Sequence, residues 1–153
     1  MPHFSMTVPV RWSDCDANGH VRNTAYSEYA VDVRVGFLAS QGWTYDDFVK
    51  HHVGPVIIRE EIDYVRELRM GDEVTVDVTW VGASNDGARF KFLHEFTRRR
   101  DGKPCARILI LGGWMDLAQR RLAPPPARLA EVMARFERGP SWEVLPDAGA
   151  KKA

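Results

Sequence analysis

Residues 11–26 read RWSDCDANGHVRNTAY. Two carboxylates (Asp14, Asp16), a histidine (His20) and two asparagines (Asn18, Asn23) stand between a strand-like run and a helix-like run. A plain turn needs only a glycine or two, so the polar excess points to a site rather than a link. Upstream, Met6, Val8, Val10 and Trp12 alternate with Thr7, Pro9 and Arg11, the period of a strand with one buried face. Pro9 has no N–H for a ladder, which puts this strand at a sheet edge or at a bulge. Downstream, Thr24 to Ser40 repeats helically: Tyr26, Tyr29, Ala30, Val33, Phe37 and Leu38 share one side. Ala25, Val31 and Val35 add apolar surface elsewhere, so this helix is buried over most of its girth. Gly42 suits the position just past its end.

Four further runs have strand character. PVIIREEIDYV sets Val56, Ile58, Ile62 and Tyr64 on one face, and EVTVDVTW alternates Val74, Val76, Val78 and Trp80. ARFKFLHEF groups Phe90, Phe92, His94 and Phe96, where His94 is expected to be a core histidine. PCARILILGGWMDL is more continuously apolar, as a central strand is, with Gly112 and Gly113 marking a bulge or a close approach. The turns between them contain LRMGD, GASNDG and RDGK. The Arg98–Arg100 run is expected to be a solvated strand end. Leu129, Val132, Met133 and Phe136 then mark a terminal amphipathic helix opened by prolines. Pro, Gly and Lys accumulate from Gly139, so residues 139–153 are expected to form a loose tail behind a single domain of residues 1–138.

Strands segregated behind one apolar helix indicate an α+β domain, with a curved antiparallel sheet wrapped around the long central helix and a C-terminal helix beside it. One sheet covers only part of such a helix, and a second copy is the natural cover for the rest, so a homodimer or a tetramer of dimers is expected. A length of 153 residues fits one domain with a sizeable core. Lys plus Arg (21) balance Asp plus Glu (21), so no global field favours nucleic acid or a membrane surface. No apolar run approaches the roughly 20 residues of a membrane helix, and Cys15 and Cys105 are too few for a disulfide framework. A cytoplasmic domain is expected.

A short strand, then DCDANGHVRNTAYSEY, then an apolar helix resembles the acyl-CoA thioesterases of the hotdog fold, in particular the 4-hydroxybenzoyl-CoA and long-chain acyl-CoA thioesterase families. Asp14, Asp16, Gly19, His20, Val21, Asn23 and Tyr26 fill the places of the family motif, and GPVIIREEIDYVRELRMGDEV is similar to the strand that follows its helix. The resemblance spans residues 5–137. It implies thioester hydrolysis without metal or other cofactor, on an acyl-CoA or acyl-carrier-protein thioester. It puts the carboxylate role on Asp16, not Asp14, and the oxyanion-binding role on the backbone N–H near Asn23. His20, which orients water or the carboxylate in this reading, is otherwise a satisfied polar residue of the loop. Histidine and asparagine at positions 20 and 23 lean toward the long-chain and general acyl-CoA subgroup rather than the aromatic one.

Chemistry supplies its own reasons for these residue types. A thioester carbonyl must be attacked by an activated water or a carboxylate, and the developing oxyanion must be stabilised. A carboxylate does the first, and the amino terminus of a buried helix does the second. The acyl group is expected along the buried helix, in an apolar slot with Tyr26 and Ile58. Arg89, Lys91, Arg120 and Arg121 are the candidate contacts for CoA phosphates. Asp14 is expected to be a turn former, and Cys15 a packing residue. Two other readings remain at this point: a hotdog dehydratase or hydratase acting on acyl thioesters, and a non-enzymatic acyl-CoA-binding regulator.

Overall fold

The computed structural model describes residues 4–149. In chain order the elements are β1 (Phe4–Pro9), α1 (Asn23–Ser40), α2 (Tyr45–His51), β2 (Val53–Tyr64), β3 (Glu73–Ser84), β4 (Arg89–Arg98), β5 (Lys103–Asp116), β6 (Arg121–Leu122), α3 (Ala127–Met133) and β7 (Arg138–Leu145). The main sheet order is β1-β3-β4-β5-β2, antiparallel throughout, with β6 on β5 and β7 on β3. This is the hotdog fold: a curved sheet holding one long helix against its concave face.

The helix is gripped by the residues whose period announced it. Ala25, Tyr26, Tyr29, Ala30, Val33, Phe37 and Leu38 are buried against the alternating inner faces of β3, β4 and β5. Phe37 stacks on Phe136 with ring centroids 3.9 Å apart and meets Phe4 edge-on. Phe37→Ala would open a cavity at that junction at a cost of roughly 3–5 kcal/mol. Gly112 in β5 is a close approach: a Cβ there would stand 2.6 Å from both the Phe90 ring and the Val56 carbonyl oxygen. Of the two placements Pro9 allows, an edge or a bulge, β1 takes the sheet edge.

Four features depart from the sequence reading. The segment after residue 138 is not loose over Arg138–Leu145: it forms β7, parallel to the second half of β3, on the edge whose first half is taken by β1. Trp142 and Trp80 meet edge-on, and Arg138 lies over both rings, so aromatic and cation–π contacts hold a segment whose Pro and Gly content suggested a tail. The rest of the tail beyond Gly149 lies outside the described residues. Helix α2 was also unforeseen, although Thr44 and Asp47 form a capping box at its start. Arg98 is buried, not solvated, and pairs with Asp101.

The fourth departure matters most for the site. Ile57 pairs with Gly112 and Arg59 with Leu111, leaving Ile58 as the extra residue of a bulge. The alternation Val56, Ile58, Ile62, Tyr64 therefore crosses a register shift. Ile57 and Ile58 both stand about half exposed, and Ile57 rather than Ile58 lines an apolar cavity beside Arg34 of α1.

Candidate active site

The polar stretch folds into a tight loop closed on itself. Trp12–Asp14 form a single 3-10 turn, Cys15 and Val21 bridge across the loop, and Asp16 N donates to His20 O at 2.9 Å. Gly19 N donates back to Asp16 O, and Gly19 holds φ +78°, a conformation that a side chain would strain. The loop is tied to the β2–β3 turn by Val21 N donating to Leu68 O at 2.8 Å.

The two carboxylates have opposite environments. Asp14 is fully buried: its oxygens accept hydrogen bonds from Tyr29 Oη (2.7 Å), Arg11 Nη2 (3.0 Å) and Arg11 N (3.1 Å). Burial pushes its pKa up, but the hydrogen bonds from Arg11 and Tyr29 outweigh it and hold the carboxyl at about 2. Asp14 is a structural anion that ties the loop to α1. Asp16, two residues on, is exposed, and its side chain makes one hydrogen bond among the described residues, Oδ1 accepting the Asn18 N–H at 2.8 Å.

Asp16, His20, Asn23 and Tyr26 line one cavity of about 310 Å³ with Tyr64, Arg66 and Glu67. Asn23 is the first residue of α1, and the cap position is Arg22, with no side-chain cap. Asn23 is therefore not the cap, and its N–H belongs to the first turn, where helix N–H groups have no intrahelical acceptor. Tyr26 is buried between Tyr64 and Phe96, and burial pushes its phenol up to about 12.

Three wall residues were not singled out from sequence. Tyr64 Oη donates to the Asn23 carbonyl at 3.1 Å, joining the end of β2 to the start of α1. Glu67 pairs with His20, Nε2 to Oε2 at 2.6 Å. Arg66 donates to Pro104 O. Tyr64 was visible as an apolar-face residue of its strand. Glu67 and Arg66 lie in a turn whose spatial neighbour cannot be read from spacing.

The structure does not bring every candidate here. Ile58 does not line this cavity: it lies six residues along β2 from Tyr64, about 20 Å. Arg89 begins β4 and pairs with Gly113, whereas Tyr64 pairs with Ala106, so Arg89 lies seven residues of β5 away, about 24 Å. Arg120 and Arg121 sit at that same far end, beside Asp116. Lys91 is paired with Glu143 of β7.

A family model described as the thioesterase-like superfamily matches residues 10–136. The chain belongs to the thioesterase-like superfamily. Thioester hydrolysis is thus its reaction class. The fold is shared with solved structures that include a 1,4-dihydroxy-2-naphthoyl-CoA thioesterase from Synechocystis (TM-score 0.79, 19% identity, 88% of this chain and 97% of that one). A Staphylococcus aureus protein in complex with CoA superposes with a TM-score of 0.80 at 21% identity, over 99% of this chain and 95% of that one. A probable thioesterase from Escherichia coli gives 0.73 at 20% identity, over 89% and 100%. No curated protein matches the sequence. In this thioesterase-like chain Asp16, His20, Val21, Asn23 and Tyr26 form one wall of a cavity at the start of its central helix.

Proposed function

We propose that the chain hydrolyses acyl-CoA thioesters to a carboxylic acid and CoA, with Asp16 as the carboxylate that activates water or attacks the carbonyl. The observation that carries this reading is the shared cavity wall: an exposed carboxylate with free lone pairs beside the first turn of a buried helix. The thioester carbonyl oxygen accepts from the N–H groups at Asn23, where the helix dipole favours the negative charge of the tetrahedral intermediate. Collapse of that intermediate expels the CoA thiolate, which takes up a proton. His20, held by Glu67, orients water or the Asp16 carboxylate. A dehydratase has no comparable support, since the family match is to thioesterases.

The working unit in this reading is at least a homodimer. In one protomer β2 is a free sheet edge, and Val31 and Val35 of α1 stand exposed beside Ile57 and Ile58. A second copy related by a two-fold axis across that edge would cover this surface and bring the basic far end of one sheet toward the Asp16 loop of the other. In that arrangement Arg89, Arg120 and Arg121 meet the CoA phosphates of the partner's substrate. The two free cysteines, Cys15 and Cys105, suit a reducing cytoplasm.

The test is thiol release from a panel of acyl-CoAs, with the matching acyl-carrier-protein thioesters alongside. Turnover of the CoA series supports the proposal. Turnover of carrier-protein thioesters alone would move the substrate class, and tight binding without turnover would remove the hydrolytic assignment.

A further inference from the structure

A second cavity, of about 190 Å³, lies under the far half of α1. Phe48, Ile57, Phe92 and Phe136 form its apolar walls, and Arg34 and Trp114 are its polar members. No carboxylate, amide or hydroxyl side chain lines it. Both polar members are hydrogen-bond donors only.

Neither donor is neutralised. Arg34 Nη1 lies 3.0 Å from His94 Nε2, and His94 Nδ1 lies 2.7 Å from the Asp77 carbonyl oxygen. A carbonyl can only accept, so Nδ1 carries the proton, and Nε2 accepts from the guanidinium. The fully buried His94 is thus a neutral ring, in keeping with burial and the Arg34 charge lowering its pKa to about 3. Burial also lowers Arg34, to about 10, which leaves it charged. Glu60 on β2 is the carboxylate whose field it feels, but Glu60 is exposed and outside ion-pair distance. Trp114 is 2% exposed, and its Nε1 has no partner among the described residues.

This cavity lies further along α1 from the candidate active site. Asn23, Ser27, Val31 and Arg34 follow one another at helical spacing along the stripe of α1 nearest β2. Tyr64 bonds the stripe at Asn23, and Ile57 shares the cavity with Arg34 at the other end. Eleven residues of helix separate the two ends, about 16 Å.

We propose that this second cavity receives the far end of the acyl group, and that this end carries a carboxylate held by Arg34. The inference rests on the thioesterase reading and adds its substrate class: ω-carboxyacyl thioesters. Apolar walls suit the methylene chain. A half-buried guanidinium with no carboxylate within ion-pair distance among the described residues calls for an anion, and its fork of N–H donors suits the two oxygens of a carboxylate.

The experiment compares acyl-CoAs of equal chain length ending in methyl, hydroxyl or carboxylate, over a graded series of lengths, with the native enzyme. The carboxylate-ended compounds should exceed the methyl-ended ones in kcat/KM by at least about tenfold at the best length. Arg34→Met should bring that ratio close to one, mainly through KM, and Arg34→Lys should retain part of it; melting curves report whether each variant folds. Equal or better turnover of methyl-ended compounds by the native enzyme overturns the proposal, as does a hydroxyl-ended compound that matches the carboxylate. If no compound is hydrolysed, the thioesterase reading has failed instead. Calorimetric binding of the same set then decides the cavity: tighter binding of the carboxylate upholds it, and equal binding overturns it.

Discussion

His20 Nε2 stands 2.6 Å from Glu67 Oε2, so the histidine of the loop is held by the β2–β3 turn and not by Asp16. Both side chains are close to half exposed, 43% and 47%, and a polar contact at that exposure contributes little to stability. In the proposed mechanism the pair holds the ring in the cavity that Asp16 also lines. We predict that His20→Ala lowers turnover by roughly tenfold to a hundredfold, short of the loss from removing a general base, and leaves the melting temperature within about a degree or two. Glu67→Gln should fall in the same direction by less. Steady-state thiol release with parallel melting curves checks this, and a large drop in stability would make the pair structural.

Asp14 should behave in the opposite way. Asp14→Asn loses the charge that Arg11 and Tyr29 hold, so stability should fall by about 1–2 kcal/mol after allowance for screening. Its folded pKa of about 2 lies below the ordinary carboxylate value of 3.8. The contribution is therefore fully present above about pH 4 and is lost as pH falls toward 2. Denaturation of both proteins across that range should show the wild-type advantage shrinking to nothing at the acid end. An advantage that is constant with pH would contradict the assignment.

Assembly has its own test. The exposed Val31 and Val35 of α1 adjoin the unpaired edge of β2. Light scattering of the native protein should give a dimer or a larger multiple, and Val31→Glu combined with Val35→Glu should shift it toward monomer, judged by mass and not by turnover because both side chains also line the second cavity. A native monomer that is fully active would remove the two-subunit site.

Much of this was legible in the sequence because its signals are local and repetitive. The α1 stripe and the alternation of β3 and β4 demand one buried face each, and Pro9 limited β1 to an edge or a bulge. The β2 bulge was not legible: VIIREEI offers apolar residues on both sides of the slip, and only pairing with Gly112 and Leu111 shows that Ile58 is the extra one. β7 was hidden by composition, since RGPSWEVL is held by Trp80, Trp142 and Arg138 rather than by an alternating pattern. Within the site, Asp16, His20, Asn23 and Tyr26 lie on one short segment and could be found together. Glu67 and Tyr64 reach the cavity through tertiary folding, which spacing along the chain does not encode.

In the proposed mechanism Asp16, and not Asp14 or His20, is the group that activates water or attacks the thioester carbonyl. Single-turnover hydrolysis of an accepted acyl-CoA by Asp16→Asn, Asp14→Asn and His20→Ala tests it most directly, with a melting curve for each. Asparagine keeps the shape of the side chain and its bond to Asn18, so Asp16→Asn should fold normally and bind substrate. Its rate should drop by roughly 100- to 10,000-fold, the usual contribution of a positioned base. Near-normal turnover by Asp16→Asn, with Asp14→Asn or His20→Ala inactive yet folded, would contradict the account.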